Sequence, residues 1–324
     1  MLLIPVLLAL LSPEIRVTQP VLGPATSAHG GVVGTSADRS LVLWMDSRGT
    51  DDLYGARVDS SGNVLDPAGI PIFHGPASAA VAPTGSGDFL VALALGASGE
   101  TDVLRVTRDG AVTARKKIDD TGPLQTYGVQ IATNGTNFLV LVSGQRVLLV
   151  DADGNVLAGP SVIGNGYGRT AVTSDGRDYM IAAIVGPSVE ALPLSASGQL
   201  GTAQFPLAGV NPSAVALASN GTNYFLAAAG FDALYTAMLG KDGKATAGPQ
   251  PAVNGRDSAL RAIWDGREYA MVWATPASIQ TNDATLSASL VDSAGRAINP
   301  TPLGRHMNGD AGLDLTLLGG NLFV

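Results

Sequence analysis

The chain has 324 residues, 46% of them hydrophobic and 14% charged, which is typical of a protein with a large buried core and argues against disorder. The net charge is −8 and the longest basic cluster is Arg115-Lys116-Lys117, so we expect no nucleic acid among its partners. The absence of cysteine excludes disulfides, thiolate metal sites and a cysteine nucleophile.

The N-terminus opens with an apolar run from Leu2 to Leu11. The run is too short to span a bilayer and has the length of a signal-peptide core, although it lacks a basic n-region and a clear small-residue cleavage site. We interpret residues 1–13 as a signal-peptide-like segment, and we expect a secreted, periplasmic or cell-surface protein with no transmembrane segment. The alternative is a mis-started or truncated gene whose first strand happens to be apolar.

Seven short apolar runs, which we name core strands, follow at intervals of 41 to 53 residues. They begin at Leu41, Phe89, Phe138, Tyr179, Tyr224, Tyr269 and Leu322. A sequence period of about 47 residues is typical of propeller blades.

A tight turn precedes most of the core strands. The strongest copies are Asn134-Gly135, Asp175-Gly176, Asn220-Gly221 and Asp265-Gly266, which are dipeptides that suit type I′ hairpins. A second turn follows the first six core strands and ends in glycine, at Gly62, Gly110, Gly154, Gly198, Gly243 and Gly295. The pattern of each repeat therefore predicts four consecutive strands, which we label a, b, c and d. The core strand is strand b, and tight turns join a to b and c to d.

The repeats predict an all-β fold, a β-propeller of four-stranded antiparallel blades over residues 14–324. We expect six full repeats plus a partial seventh, with blades at about 30–76, 77–123, 124–166, 167–211, 212–255, 256–308 and 309–324. A β-sandwich array is the alternative, but each sandwich domain needs roughly 100 residues. Two hypotheses stay open for the chain ends. Either Ile15 to Leu22 supplies a strand that completes the last blade, or the sequence is a fragment that lacks later blades.

The repeat carries the phrase Asn/Asp-Gly-x-x-Tyr/Phe, then an apolar run, then Asp-x-x-Gly-x-Val-Leu, best seen at Asn220–Ala229 and Asp151–Leu157. This phrase resembles the repeats of uncharacterised secreted bacterial β-propeller-like proteins. The resemblance covers about residues 30–324 and implies the fold and export, but it brings no catalytic residue. The turn at Asp151 also resembles the quinoprotein-type propeller repeat, without the tryptophan that follows there, and we expect no cofactor.

No motif predicts a catalytic or metal site. The stretch Asp151-x-Asp153-Gly154-Asn155 has the opening of a calcium loop, but Val162 stands where that loop needs a glutamate, so we interpret it as a turn. The three histidines, His29, His74 and His306, lie far apart in the sequence, and we expect them in surface loops rather than around zinc. There is no Gly-x-Ser-x-Gly motif and only four glutamates are present, so we predict no catalytic residues.

Tight a–b and c–d turns would lie on one face of the blades, and the b–c and d–a connections on the other, which we name the b–c/d–a face. We expect the connections on this face to be longer and more variable, including the b–c segments Met45–Asp52, Gly96–Asp102 and Ala274–Thr285. Function on loops held by a rigid scaffold is the usual arrangement. We therefore predict the ligand-binding residues on this face as Asp46, Arg48, Asp51, Asp52, Asp119, Asp120, Tyr167, Arg169, Arg256, Asp257, His306 and Asp310.

Three hypotheses for function follow. The first is an exported binding or scaffold module whose partner, a surface glycan or a protein, contacts the b–c/d–a face. The second is a carbohydrate-active hydrolase or lyase with carboxylates contributed by several blades, and the third is a structural surface or adhesin repeat. The absence of a convergent catalytic set in the sequence favours the first hypothesis.

Overall fold

The computed structural model describes residues 28–47, 51–96, 98–120, 128–163, 169–254, 259–278, 281–307, 313–318 and 321–323. The regular secondary structure in these ranges consists of β-strands. No helix long and apolar enough to span a membrane occurs among these residues. The strands form six four-stranded antiparallel sheets, each made from four consecutive strands. These sheets are the blades of a β-propeller, so the predicted fold class is confirmed.

The first of two compact units contains blades one to three and spans residues 9–163 and 316–323. Its strands are β1 (Ala28–Thr35), β2 (Arg39–Asp46), β3 (Asp52–Asp59) and β4 (Ile70–Phe73) in blade one, β5 (Ser78–Pro83), β6 (Phe89–Leu95), β7 (Glu100–Val106) and β8 (Lys116–Asp119) in blade two, and β9 (Val129–Thr133), β10 (Phe138–Val142), β11 (Arg146–Val150) and β12 (Val156–Val162) in blade three.

The second unit contains blades four to six within residues 164–315. Its strands are β13 (Thr170–Ser174), β14 (Tyr179–Val185), β15 (Ser188–Leu194) and β16 (Gln204–Leu207) in blade four, β17 (Ala214–Ser219), β18 (Tyr224–Ala229), β19 (Ala233–Leu239) and β20 (Ala245–Asn254) in blade five, and β21 (Ala259–Trp264), β22 (Tyr269–Ser278), β23 (Thr281–Val291) and β24 (Ala297–Met307) in blade six.

The partial seventh blade of the prediction is not supported. The last two strands, β25 (Thr316–Leu318) and β26 (Asn321–Phe323), pair only with each other, and no described strand extends them into a blade. They belong to the first unit, where the hydroxyl oxygens of Thr316 and Thr35 lie 2.5 Å apart. The predicted segment 1–13 and the predicted strand from Ile15 to Leu22 lie outside the described residues.

The second strand of each blade lies in the core, as its uniformly apolar sequence predicts. In β18, every residue is buried, and successive side chains point to opposite faces of the sheet. Phe225 and Ala227 pack into a cluster with blade six, whereas Tyr224 and Leu226 pack into a cluster with blade four. A blade covered on both sides has no solvated face at this strand, which is why the strand carries no alternating polar residue.

In blade six, the tyrosine that starts the second strand holds the a–b turn of blade five. The turn at Asn220 is closed by its own side chain, whose Oδ1 accepts hydrogen bonds from the N–H groups of Thr222 and Asn223 at 2.9 and 2.8 Å. The Tyr269 hydroxyl of blade six accepts from the Asn220 N–H at 3.1 Å and donates to the Asn223 carbonyl at 2.9 Å. Between blades five and six, the repeated phrase therefore encodes both a hairpin and its contact with the next blade.

We expect Tyr269→Phe to lower the free energy of unfolding by about 0.5–1.5 kcal/mol, because it removes the two hydrogen bonds of the hydroxyl, while the Asn220 N–H and the Asn223 carbonyl keep the hydrogen bond between them. Urea unfolding followed by circular dichroism measures this change. Tyr235→Phe is the matched control, since the Tyr235 hydroxyl donates only to the exposed Asp232. Equal losses in the two variants would show that the hydroxyl of Tyr269 does not stabilise the turn.

An ion pair joins the turns of two neighbouring blades in the second unit. Lys241, in the c–d turn of blade five, places Nζ 2.7 Å from Oδ2 of Asp175, whose side chain is fully buried in the a–b turn of blade four. Burial by itself would raise the pKa of Asp175, but Lys241 and the N–H groups of Arg177 and Asp178 outweigh burial and lower it. The ionised carboxylate of Asp175 therefore stabilises the folded protein.

We expect Lys241→Met to lower the free energy of unfolding at pH 7 by about 1–2 kcal/mol, because it removes the charge partner of the buried Asp175. Since the folded pKa of Asp175 is depressed, its contribution is present above the unfolded value of about 3.9 and is lost as the pH falls through the folded value. The difference in Tm between wild type and variant should thus shrink as the pH is lowered below about 4. Lys244→Met, which removes an exposed pair with Asp242, should leave Tm unchanged; equal effects of the two variants would contradict the prediction.

The b–c connections differ from the prediction. They are short in blades three, four and five, at residues 143–145, 186–187 and 230–232. The predicted loop Ala274–Thr285 is instead part of a hairpin, in which β22 continues to Ser278 and β23 begins at Thr281. The prediction of long b–c connections is therefore wrong for blades three to six. The strands keep pairing up to a tight turn, and Gly144 and Gly186 supply the positive φ that such turns need.

Candidate functional site

One position of the third strand is polar in all six blades. It lies five residues before the residue whose N–H opens the c–d turn, which is Asp59, Thr107, Asp151, Ser195, Gly240 or Asp292. The residues at this position are Tyr54 in blade one and then Asp102, Arg146, Glu190, Tyr235 and Ser287. A buried polar residue costs free energy unless it has a partner, so its neighbours decide its role in each blade.

In blade two, Asp102 holds an arginine against an aromatic ring. Asp102 is 1% exposed, and its Oδ2 lies 2.7 Å from Nη1 of Arg115, the residue just before β8. The guanidinium carbon of Arg115 lies 5.0 Å from the ring centre of Phe73, which ends the last strand of blade one. The carboxylate and the ring fix the guanidinium by charge and by a cation–π contact. The Arg115 side chain nevertheless remains 44% exposed, so its other N–H groups face solvent.

A second carboxylate lies on the same side of the strand. Glu100 precedes Asp102 by two residues, and its Oε2 is 3.5 Å from Nζ of Lys117. The same Nζ lies 3.8 Å from Oδ2 of Asp120. Burial raises the pKa of Asp102, the adjacent Glu100 carboxyl raises it further, and the charges of Arg115 and Lys117 only partly offset both. We name these residues, Glu100, Asp102, Arg115, Lys117 and Asp120, the blade-two cluster.

The buried part of the blade-two cluster has an unsatisfied acceptor. Asp102 Oδ1 is shielded from solvent and has no hydrogen-bond partner among the described residues. Nearby in blade one, Asp52 orders the segment after Phe73: its Oδ1 accepts from the Gly75 N–H at 2.8 Å and lies 2.9 Å from His74 Nδ1. The edge between blades one and two therefore presents an aromatic ring, a fixed guanidinium and several carboxylates.

The residue at the equivalent position in blade three is buried and pairs with a charge inside the protein. Arg146 Nη2 lies 2.7 Å from Oδ2 of Asp119, at the end of β8, and both side chains are at least nine-tenths buried. Thr101, which pairs with Asp119 across the sheet, is fully buried. This pair is an internal ion pair between blades two and three, and its charges do not reach the surface.

The structure brings few of the predicted site residues together. Asp120 belongs to the blade-two cluster through Lys117, and Asp52 contacts the segment after Phe73. Asp119 lies in the buried ion pair, and Asp46 accepts a hydrogen bond from Trp44 Nε1 at 3.2 Å. Asp51 and Arg169 are exposed, the latter in the second unit. His306 falls within β24. The remaining residues lie outside the described part of the chain: Arg48, Tyr167, Arg256, Asp257 and Asp310.

Of the blade-two cluster, the sequence predicts only Asp120 as a site residue and misses the other four. It places Glu100 and Asp102 at the end of a b–c loop, and Arg115 and Lys117 only in a basic run. Alignment of the third strands on their last residue would have found the position, because Asp102, Arg146 and Glu190 then share a column. No sequence pattern connects Arg115 with Phe73, which precedes it by 42 residues.

Comparisons with known proteins show the fold and no family. No protein family matches the chain, and no curated protein sequence matches it either. Among solved structures, the BP39L lectin from Burkholderia pseudomallei superimposes with a TM-score of 0.69 at 18% identity, over 90% of this chain and 89% of the lectin. Virginiamycin B lyase from Staphylococcus aureus gives 0.54 at 14% identity, over 91% and 89%. Hydrazine synthase from Kuenenia stuttgartiensis gives 0.57 at 12% identity, over 95% and 94%.

Proposed function

We propose that the protein is an exported binding module and that it binds a glycan at the blade-two cluster. The observation that carries the proposal is the clamped guanidinium of Arg115, held at 2.7 Å from Asp102 and 5.0 Å from the Phe73 ring while 44% exposed. Binding sites typically combine an apolar surface with a few fixed polar groups, and preorganisation reduces the entropy lost on binding.

The chemistry of the cluster suits vicinal hydroxyl groups. A guanidinium carries five N–H donors in a planar fork, and only one of those of Arg115 is used by Asp102. Adjacent hydroxyls of a sugar can accept from that fork and donate to the carboxylates of Glu100 and Asp120. The ring of Phe73 offers an apolar surface beside these groups. The similarity to a lectin supports a glycan as the ligand, and the resemblance to secreted propeller repeats supports export.

Glycoside cleavage is the alternative that the paired carboxylates raise. The Glu100 carboxyl lies near enough to Asp102 to raise the pKa of Asp102 further, beyond the effect of burial. Carboxyl groups that flank a glycosidic bond stand at least about 5 Å apart, so that a sugar or a water fits between them. Asp102 is only 1% exposed, so it does not reach a glycosidic bond as a second flanking carboxyl would, and the pair suits ligand binding better than hydrolysis.

We expect Arg115→Met to weaken glycan binding at least tenfold, about 1.4 kcal/mol, since methionine keeps an apolar stem over Phe73 but removes the donor fork. A glycan array identifies the ligand, and calorimetry measures its Kd. Arg115→Lys should also bind weakly, because an ammonium lacks the planar fork. Arg177→Met replaces an 83% exposed arginine in the a–b turn of blade four and should change nothing. Unchanged affinity in Arg115→Met, or an array without a binding glycan, would overturn the proposal.

Export has its own test. The full chain with a C-terminal tag is expressed in a bacterial host, and the tagged protein is sought in the cytoplasmic and extracytoplasmic fractions. Mass spectrometry of the exported protein should show that an N-terminal segment near residues 1–13 has been removed. Retention of the intact chain in the cytoplasm would contradict export and leave the binding proposal standing.

A further inference from the structure

The most exposed large hydrophobic side chain in the described part of the chain belongs to blade five. Phe231 is 70% exposed and lies in the b–c connection between β18 and β19. A hydrogen bond from the Gly230 N–H to the Ala233 carbonyl, 2.8 Å long, closes the turn that carries it. The backbone on which Phe231 stands is therefore fixed by the hairpin. Single exposed hydrophobic residues are common, so the residues around it decide what it means.

Beside Phe231 lies the blade-five member of the repeated polar position. Tyr235 pairs with Ala228 in the register that pairs Asp102 with Leu93 in blade two. The Tyr235 hydroxyl donates to Oδ1 of the exposed Asp232 at 2.9 Å. This hydrogen bond raises the pKa of Tyr235, so the phenol stays protonated at neutral pH.

The glycine of the turn lets the tyrosine ring lie against the backbone. A Cβ at Gly230 would come within 2.8 Å of Tyr235 Cε2 and of the Val210 carbonyl oxygen, closer than carbon atoms approach in proteins. Only glycine gives the Tyr235 ring this room. Two aromatic residues and one carboxylate are thus gathered at a single turn of the second unit.

We infer that Phe231, Asp232 and Tyr235 form a second glycan-binding site, which takes the apolar face of a sugar ring on Phe231 and its hydroxyls on Asp232 and Tyr235. The ring face of a sugar carries C–H groups, which pack on an aromatic side chain, while the hydroxyls at its edge need acceptors. Asp232 provides a carboxylate oxygen and Tyr235 a phenolic oxygen as acceptors. The inference extends the proposed function to a different set of residues and rests on it for the class of ligand.

The two sites differ in chemistry. The blade-two cluster binds through a charged fork and carboxylates, whereas the blade-five site has one carboxylate and an exposed ring. We therefore expect binding at the blade-two cluster to weaken more as salt is raised, and binding at Phe231 to depend on aromatic area. A chain with two sites for sugars gains avidity for a surface that displays many copies.

The test uses the full chain and a panel of monosaccharides, galactose, glucose, mannose, fucose and N-acetylglucosamine, each also conjugated to serum albumin. Calorimetry with the monosaccharide that binds most tightly should give two sites per chain. Phe231→Ala should remove one of them, and Asp232→Asn should weaken that site at least tenfold. Phe205→Ala, at another exposed phenylalanine of the second unit, should leave both sites intact.

Phe231→Trp supplies a readout that does not depend on loss of binding. A tryptophan keeps the aromatic surface, so binding should persist, and its fluorescence should shift to shorter wavelength when the sugar covers it. Each variant is first compared with wild type by circular dichroism and thermal unfolding.

The outcomes separate the two proposals. If Arg115→Met removes all sugar binding while Phe231→Ala removes none, the blade-five site is overturned and the proposed function stands. If Phe231→Ala removes the only site and Arg115→Met has no effect, the blade-five site stands and the placement of the ligand at blade two fails. If the wild-type chain binds no sugar of the panel, neither as the free monosaccharide nor as the albumin conjugate, both proposals are overturned.

Discussion

Replacing Phe225 with alanine is expected to lower the free energy of unfolding by about 3–5 kcal/mol. The Phe225 side chain is fully buried in β18, and its ring stacks on that of Tyr269 with centroids 5.3 Å apart. Both aromatic rings belong to the cluster that joins blades five and six. Removing the ring leaves a cavity between two sheets, and the sheet of blade five cannot move into it without disturbing its packing on blade four.

Chemical unfolding in urea, followed by circular dichroism, measures this loss. Phe205→Ala is the matched control, because it deletes the same group from a site that is 53% exposed in β16. The control should change the unfolding free energy by less than about 0.5 kcal/mol. A loss in Phe225→Ala that is no larger than in the control would contradict the packing between blades five and six.

Asp119→Ala is expected to destabilise the protein by a similar amount, about 3–5 kcal/mol. The carboxylate is the charge partner of Arg146 at 2.7 Å, and the arginine side chain is only 8% exposed. Its removal leaves a buried guanidinium without that compensation. The double variant Asp119→Leu with Arg146→Met deletes both charges and should recover most of the lost stability, because two apolar side chains of similar size need no partner.

Urea unfolding of Asp119→Leu, Arg146→Met and the double variant gives the coupling energy between Asp119 and Arg146. Additive losses would show that the ion pair does not act as a unit. The double variant also separates structure from function at this position. It should bind glycans as the wild type does, because the proposed ligand contacts lie at Arg115 and Phe231, whereas Arg146 and Asp119 are buried.

The repeated polar position shows how one scaffold supports different chemistry. The register that places Asp102 beside a clamped Arg115 also places Tyr235 beside the exposed Phe231. In blade three the same position carries Arg146, whose charge is neutralised inside the protein. The scaffold fixes the position, and the side chain at that position decides whether it stabilises the protein or meets solvent.

The sequence by itself determined the number of full blades, the four-strand repeat and the tight turns. Those features depend on local interactions: Asn220-Gly221 forms a hairpin because its own side chain and backbone favour one, and β18 is buried because its residues are apolar on both faces. The phrase that starts at the turn and ends in the second strand therefore predicted the fold without any knowledge of long-range contacts.

Only the tertiary structure decided how long the b–c connections are and which residues form the two proposed sites. It also decided that, among the described strands, β25 and β26 pair only with each other and form no seventh blade. A strand ends where its partner stops pairing, which is why β22 and β23 continue through the predicted loop at Ala274–Thr285. The blade-two cluster needs Phe73 from one blade beside Arg115 from the next, and neither residue carries a local signal for the other. Such a site arises from the packing of blades, so it follows from the fold and cannot be read from any one repeat.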